Sequence, residues 1–290
     1  MNEEQKKWLY LLTLALVWGS SFILMKKALI GLTPIQVGAL RMLIAGVFLL
    51  LMGFKSLKQI QKRHWKYILY TALLGTFMPV FLFSYAVKGI DSSIVSILNS
   101  FTPFNTLIFG SLVFGFAFKK KQLIGIFIGL IGTITLILKG ADLNPDQNYS
   151  YAILVIIASL GYAFNVNIVK KYLHDISALS IVAGNFLLLL IPALIVLTST
   201  GFFTSYEFTE TNLNSLGYIS ILAIVGTGAA KVLYNKMVHL ATPVFASSVT
   251  YLIPIVAIFW GVIDGEKLSA IQLFAGAIIL FGVYLVNKAK

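Results

Sequence analysis

The chain has 290 residues, 59% of them hydrophobic and 11% charged, with a mean hydropathy of +0.92; a soluble domain is only ~45–50% apolar, so water is not the main solvent here. The formal charge of +12 does not mark a nucleic-acid binder, because the basic residues fall in short runs between apolar segments and do not line one face. With no cysteine there is no disulfide framework, no thiolate metal site and no cysteine nucleophile.

In chain order, the apolar segments cover about 8–26, 34–54, 65–87, 93–118, 122–139, 151–169, 177–199, 215–237, 243–263 and 268–287. Each is near the ~20 residues that cross a bilayer as a helix, the one open-chain form that satisfies its own backbone there. The pattern predicts an all-α integral membrane protein with ten transmembrane helices. The first segment is read as a retained helix, since it has no small-residue cleavage site and leads directly into further spans. Trp8, Trp65, Tyr67, Tyr149 and Tyr151 stand at segment ends, where interfacial aromatics belong.

The chain repeats itself. A shift of 151 positions puts Gly75-Thr76 on Gly226-Thr227, Ser96 on Ser247, Pro103 on Pro254 and Gly110 on Gly261, and a shift of 150 puts Gln122 on Gln272 and Gly132 on Gly282. In the first two helices of each half the offset is 144, with Trp18 on Tyr162, Lys26-Lys27 on Lys170-Lys171 and Arg41 on Asn185. Two units result, residues 1–140 and 149–290, of five helices each. An odd number of helices sends the second unit into the membrane from the opposite side, so the repeats are inverted.

Orientation follows from the lysines and arginines. A cytoplasmic N-terminus places Lys55, Lys58, Lys62, Arg63, Lys66, Lys119, Lys120, Lys121, Lys170, Lys171 and Lys236 inside, and leaves only Lys26, Lys27, Lys88, Lys139 and Lys267 outside. The bias predicts a multi-pass plasma (bacterial inner) membrane protein with both termini in the cytoplasm.

Several of these residues carry a family likeness. Trp18-Gly19-Ser20-Ser21-Phe22, Ala39-Leu40-Arg41, Pro103, Pro254 and the turn Gly265-Glu266-Lys267-Leu268 followed by Gln272 and Gly282 resemble the EamA-type drug/metabolite transporters. The likeness spans both repeats and departs from the pattern at Phe118-Lys119-Lys120-Lys121, in the turn of the first repeat. It implies a ten-helix secondary transporter of two inverted five-helix repeats. Members often export amino acids or other small metabolites.

Polar groups at membrane depth carry the chemistry. Lys231 lies about fifteen residues along its helix, roughly 22 Å deep at ~1.5 Å per residue. It is either an anchor for a substrate carboxylate or phosphate, or a lysine snorkelling to the surface. Its repeat partner is Val80, so the scaffold does not need the charge. Tyr234 shares its helical face. Asn99 and Thr102 share a face beside Pro103, while Tyr251 precedes Pro254; prolines free carbonyls, so a cavity is expected there. Trp18, Ser21, Tyr162 and Asn165 add rings, hydroxyl and amide groups able to hold a small amphipathic molecule. Phe77 lines the apolar part under the family arrangement. A structural or hinge role is expected for Pro103, Pro254, Arg41, Gly125, Gly129 and Gly132, the glycines having close-packing spacing.

No carboxylate falls clearly inside a span, which favours facilitated diffusion or exchange over acid-driven antiport. Paired carboxylates are absent and His64, His174 and His239 are far apart, so neither catalysis nor a metal site nor a cofactor is expected. The predicted partners are the lipid bilayer and a small-molecule substrate, with no nucleic acid, and the protein is expected to function as a monomer. Alternatives are a lipophilic-cation exporter, disfavoured by Arg41 and Lys231, and a non-transporting scaffold.

Overall fold

The structure, a computed structural model, describes residues 2–117, 120–143, 146–207 and 209–288. Helices account for the regular elements among them. We label these α1 (Glu3–Ala28), α2 (Pro34–Gly53), α3 (Lys62–Gly89), α4 (Ser92–Asn99), α5 (Thr102–Leu112), α6 (Lys120–Leu143), α7 (Ala152–Tyr172), α8 (Ala178–Ser199), α9 (Glu210–Leu240), α10 (Pro243–Ser247), α11 (Ile253–Ile263) and α12 (Ala270–Lys288). Among the described residues, eight helical stretches are long and apolar enough to cross a bilayer. Pro243–Ile263 is one of these, although a 3₁₀ turn, Ser248–Tyr251, divides α10 from α11. The expected segment 93–118 is split between α4 and α5, and in α12 the apolar part is the shorter stretch Ala270–Gly282.

Local chemistry sets the helix starts. Asn2 and Gln5 form a reciprocal capping box on α1, and Thr33 and Gln36 form another on α2 with Pro34 in its first turn, which satisfies N–H groups that have no partner inside a helix. Pro103 and Pro254 stand in the first turns of α5 and α11. Each helix therefore stops and restarts at its proline instead of bending around it, because that position has no use for the missing N–H.

α3 and α9 each contain a π-helical turn, Leu73–Phe77 and Leu222–Ala229. These hold Gly75 and Gly226, matched at the 151-residue offset. In α3 the cause is legible: Pro79 lacks the N–H that the Gly75 carbonyl would accept four residues earlier. In α9 the Ala230 N–H is shared by Val225 and Thr227, and so bypasses Gly226.

Packing exchanges partners between the two ends of the sequence. α1 lies against α9 and α11, whereas α7 lies against α3 and α5; the pairs α2–α8 and α6–α12 complete the bundle. The α6–α12 contact is close: a Cβ on Gly132 would sit 2.9 Å from the Ala275 carbonyl oxygen, and one on Gly282 would sit 2.5 Å from the Gly129 nitrogen. Gly129 itself faces the ring of Phe104. Side chains such as Leu51, Ile191, Phe127 and Phe274 point outward, as a lipid solvent requires.

Candidate functional site

A cavity of about 90 Å³ opens at mid-helix between α1, α2, α3, α7, α8, α9 and the α4–α5 and α10–α11 breaks. Two apolar clusters bound it. One centres on Phe22, Met25, Phe83 and Ile253, the other on Leu14, Val166, Met237 and Val249. Of the residues expected to bind substrate, Trp18, Ser21, Asn99, Thr102, Tyr162, Asn165, Lys231 and Tyr234 line it. Tyr251 and Phe77 do not appear on its wall. Tyr251 packs with Phe104 and Leu107, and Phe77 meets Phe81 edge to face at 5.2 Å beside Met42 and Phe186.

The two freed carbonyls are taken up from across the bundle. Lys231 Nζ donates to the Gly75 carbonyl at 2.5 Å, and Trp18 Nε1 donates to the Gly226 carbonyl at 2.9 Å. Lys231 thus turns inward, with its stem in the cavity wall, and does not reach for the surface. A Cβ on Gly75 would strike Asn165, and one on Gly226 would come within 2.7 Å of Ser21 Oγ; both glycines are needed for this close approach of α3 to α7 and of α9 to α1. Ser21 and Asn165 are themselves matched at the 144-residue offset.

Arg41, expected to be structural, also lines the cavity. It is 8% exposed, and its Nε donates to Thr227 Oγ1 at 2.6 Å. Among the described residues its guanidinium makes no other hydrogen bond, which leaves its two terminal nitrogens as donors for a ligand. Its repeat partner Asn185 bonds Thr71 instead, through its amide nitrogen at 2.9 Å once the amide is oriented to satisfy both groups.

Rings and amides fill the rest of the wall. Trp18 and Tyr234 lie 5.1 Å apart, and Phe83 stacks on Tyr162 at 5.8 Å. Thr102 Oγ1 donates to the Asn99 carbonyl at 2.8 Å, closing the α4–α5 break, and Ser100 Oγ donates to the Thr250 carbonyl at 2.8 Å, tying that break to the other. Asn235 donates its amide to the Lys231 carbonyl at 2.9 Å, while its Oδ1 is buried without a partner. Among the described lining residues, Arg41 and Lys231 are the cations and no carboxylate offsets them. Holding two cations at membrane depth without a carboxylate is unfavourable.

Sequence reasoning missed Phe22, Met25, Phe83 and the two glycine carbonyls. For one of these a signal exists. Pro79 four residues after Gly75 identifies the carbonyl that loses its donor.

Membrane-length helices packed around a buried polar cavity define a multi-pass membrane protein with room for a small molecule. The chain belongs to the EamA-like transporter family, which matches residues 5–138 and 149–288. It is 29% identical over 287 residues to the inner membrane transporter YedA of Escherichia coli K12, covering 97% of this chain and 90% of that one. It is 26% identical to a protein of Salmonella typhimurium named "Probable amino-acid metabolite efflux pump", covering 94% and 92%. With an S-adenosylmethionine/S-adenosylhomocysteine transporter of Chlamydia muridarum it shares 23% identity, covering 94% and 88%. A solved crystal structure superposes with a TM-score of 0.67 at 17% identity, covering 96% of this chain and 94% of the other, which establishes the shared fold.

Proposed function

We propose that the protein is a secondary transporter that moves a small polar or amphipathic metabolite bearing an anionic group, an amino acid or organic anion, out across the plasma membrane by alternating access. The observation that carries this reading is the cavity wall, where Arg41 and Lys231 meet without a carboxylate and the rings of Trp18, Tyr162 and Tyr234 supply an apolar face. Lys231 is the anchor, held ready on the Gly75 carbonyl; Arg41 offers a second pair of donors. Asn99, Thr102, Ser21 and Asn165 supply neutral polar contacts.

The architecture we infer is ten transmembrane helices in two inverted five-helix repeats, with both termini in the cytoplasm and a single chain as the working unit. Support comes from the two family matches on either side of residue 140, from the π turns at matched glycines, and from the exchange that packs α1 on α9 and α7 on α3. Two halves of similar packing energy rocking about a midplane site are the physical basis of alternating access. The relatives named for amino-acid metabolite efflux and for S-adenosylmethionine/S-adenosylhomocysteine transport are in keeping with a solute of this kind.

The test is thermal stability of the purified protein in detergent against amino acids, organic anions, sugars and cationic drugs, with Lys231→Met in parallel. A ligand stabilises by RT ln(1 + [L]/Kd), about 2.7 kcal/mol at 100 times Kd. A carboxylate-bearing solute that stabilises the wild type and not Lys231→Met supports the anchor. Equal stabilisation of both proteins by lipophilic cations replaces this reading with a multidrug exporter.

A further inference from the structure

At the end of the bundle that the lysine distribution places outside, α1 closes with Lys26-Lys27, and the turn between α11 and α12 brings Asp264 and Glu266 against it. Lys26 Nζ lies 2.8 Å from Asp264 Oδ2 and 2.9 Å from Glu266 Oε1, and Lys27 pairs with Asp264 as well. The Glu266 side chain is 1% exposed. It accepts hydrogen bonds from the backbone and hydroxyl of Ser92 at 3.2 and 2.7 Å, and from those of Ser93 at 3.1 and 2.6 Å. Ser92 and Ser93 open α4, so a carboxylate 174 residues away caps that helix. Asp91, in the position to cap it locally, makes no such bond and accepts from Gln147 Nε2 at 2.6 Å. Gly261 makes room, since a Cβ there would lie 2.5 Å from Glu266 Oε2.

The matching parts at the other end are wired differently. Thr242, at the 151-residue offset from Asp91, caps its own helix α10 by accepting from the Phe245 N–H at 3.2 Å. Lys170 and Lys171, at the 144-residue offset from Lys26 and Lys27, reach backbone carbonyls: Val238 and His239 at 3.1 and 3.2 Å, and Phe114 at 2.7 Å. One end is closed by a buried carboxylate; at the other the matching lysines reach neutral carbonyls, and the Asp175 carboxylate that pairs with Arg63 is a third exposed.

We propose that Glu266 is a latch, joining α1 and the α11–α12 turn to the start of α4, so that the outer mouth opens only when Ser92 and Ser93 leave a buried carboxylate. Separation there strips a buried carboxylate of its whole set of donors, which it cannot stay dry without; at the inner end the carboxylate in reach, Asp175, is already a third exposed. The latch therefore biases the resting protein towards a state closed on the outside. This inference rests on the transport reading, and deepens it by naming what controls access to the cavity.

The cysteine-free sequence permits a direct experiment: Ser247→Cys in the cavity wall, reconstituted in vesicles, with an impermeant maleimide applied at either face. Adding Glu266→Gln should raise the labelling rate about tenfold at the outer face, the effect of removing one charged hydrogen-bond acceptor. A rise at the cytoplasmic face alone keeps the latch and reverses the orientation. If Glu266→Gln does not yield a monodisperse protein, Ser92→Ala with Ser93→Ala retains the lysine pairs, removes two bonds to the carboxylate and should raise the rate about tenfold or more. Unchanged rates at both faces in folded protein overturn the proposal. So does an equal rise from Asp175→Asn, which breaks the Arg63 pair and serves as the control for general loosening. Labelling needs no solute, so failure to find a transported substrate would count against the function and leave the latch standing.

Discussion

Arg41 and Glu266 are buried and Lys231 is half-buried, and the three charges have three different settlements. Lys231 has a single carbonyl, Arg41 a single hydroxyl, and Glu266 a complete set of donors. The first two retain capacity for a ligand, and the third has none left. Glu266 also predicts a pH dependence. Burial alone would push its carboxyl up, but hydrogen bonds from Ser93, Lys26 and Ser92 outweigh that and hold it below its ordinary value of 4.5; Asp264, faced by Lys26 and Lys27, is likewise held below 3.8. A depressed carboxylate stabilises the fold above its unfolded pKa and loses that contribution as pH falls through the folded one. The melting temperature of wild type minus that of Glu266→Gln should therefore be positive and flat from about pH 7 to 5, then shrink below about pH 4.5. A difference that grows on acidification would mean that the carboxyl is protonated in the fold. At this scale the depth of Lys231 was legible, because a lone lysine among apolar residues is visible in one dimension. Its acceptor was not, because Gly75 lies 156 residues away and no spacing connects them.

The elements tell a parallel story. Ten apolar segments and a set of glycines and prolines at nearly constant offset could be read directly, since hydropathy and turn chemistry are local. The π turns could not, because a π turn depends on where a displaced hydrogen bond finds its replacement. Pro79 makes this testable. Pro79→Ala restores an N–H four residues after Gly75, lets α3 reclaim the carbonyl and leaves Lys231 without its acceptor. The helix gains a hydrogen bond of ~1 kcal/mol while the cavity loses its organised cation. The expected outcome is a protein at least as heat-stable as wild type with solute flux in proteoliposomes reduced about tenfold or more, as for the loss of a charge-assisted contact. Loss of stability together with flux would instead assign Pro79 a packing role. The proline breaks follow the same logic. Pro103 and Pro254 announce an interruption, but whether a helix bends or restarts is decided by neighbours such as Thr102 and Ser100, whose hydroxyls take the freed carbonyls of Asn99 and Thr250.

For the molecule as a whole, the exchange of partners between its two ends gives orientation mechanical meaning. Each group, α1–α9–α11 and α7–α3–α5, is assembled from both ends of the sequence, and under the proposed alternating access a relative tilt of the two would open one face as it closes the other. Which face carries Glu266 depends on how the bundle sits in the bilayer, and that rests on the charge bias of the loops. Lys55, Lys58, Lys62, Arg63 and Lys66 crowd one end near the start of α3, whereas Asp91, Asp264 and Glu266 gather at the other. Anionic headgroups and the insertion machinery both favour the basic end in the cytoplasm. Single cysteines at Asn148 and at Lys62, both on exposed positions, separate the two orientations in intact cells treated with an impermeant maleimide. Labelling at 148 and protection at 62 put the latch on the outside, where it holds the cavity shut against external solute and leaves loading to the cytoplasmic face, the arrangement an exporter needs. Labelling at 62 alone would put the same carboxylate on the inside, and the identical geometry would then favour loading from outside and make the protein an importer.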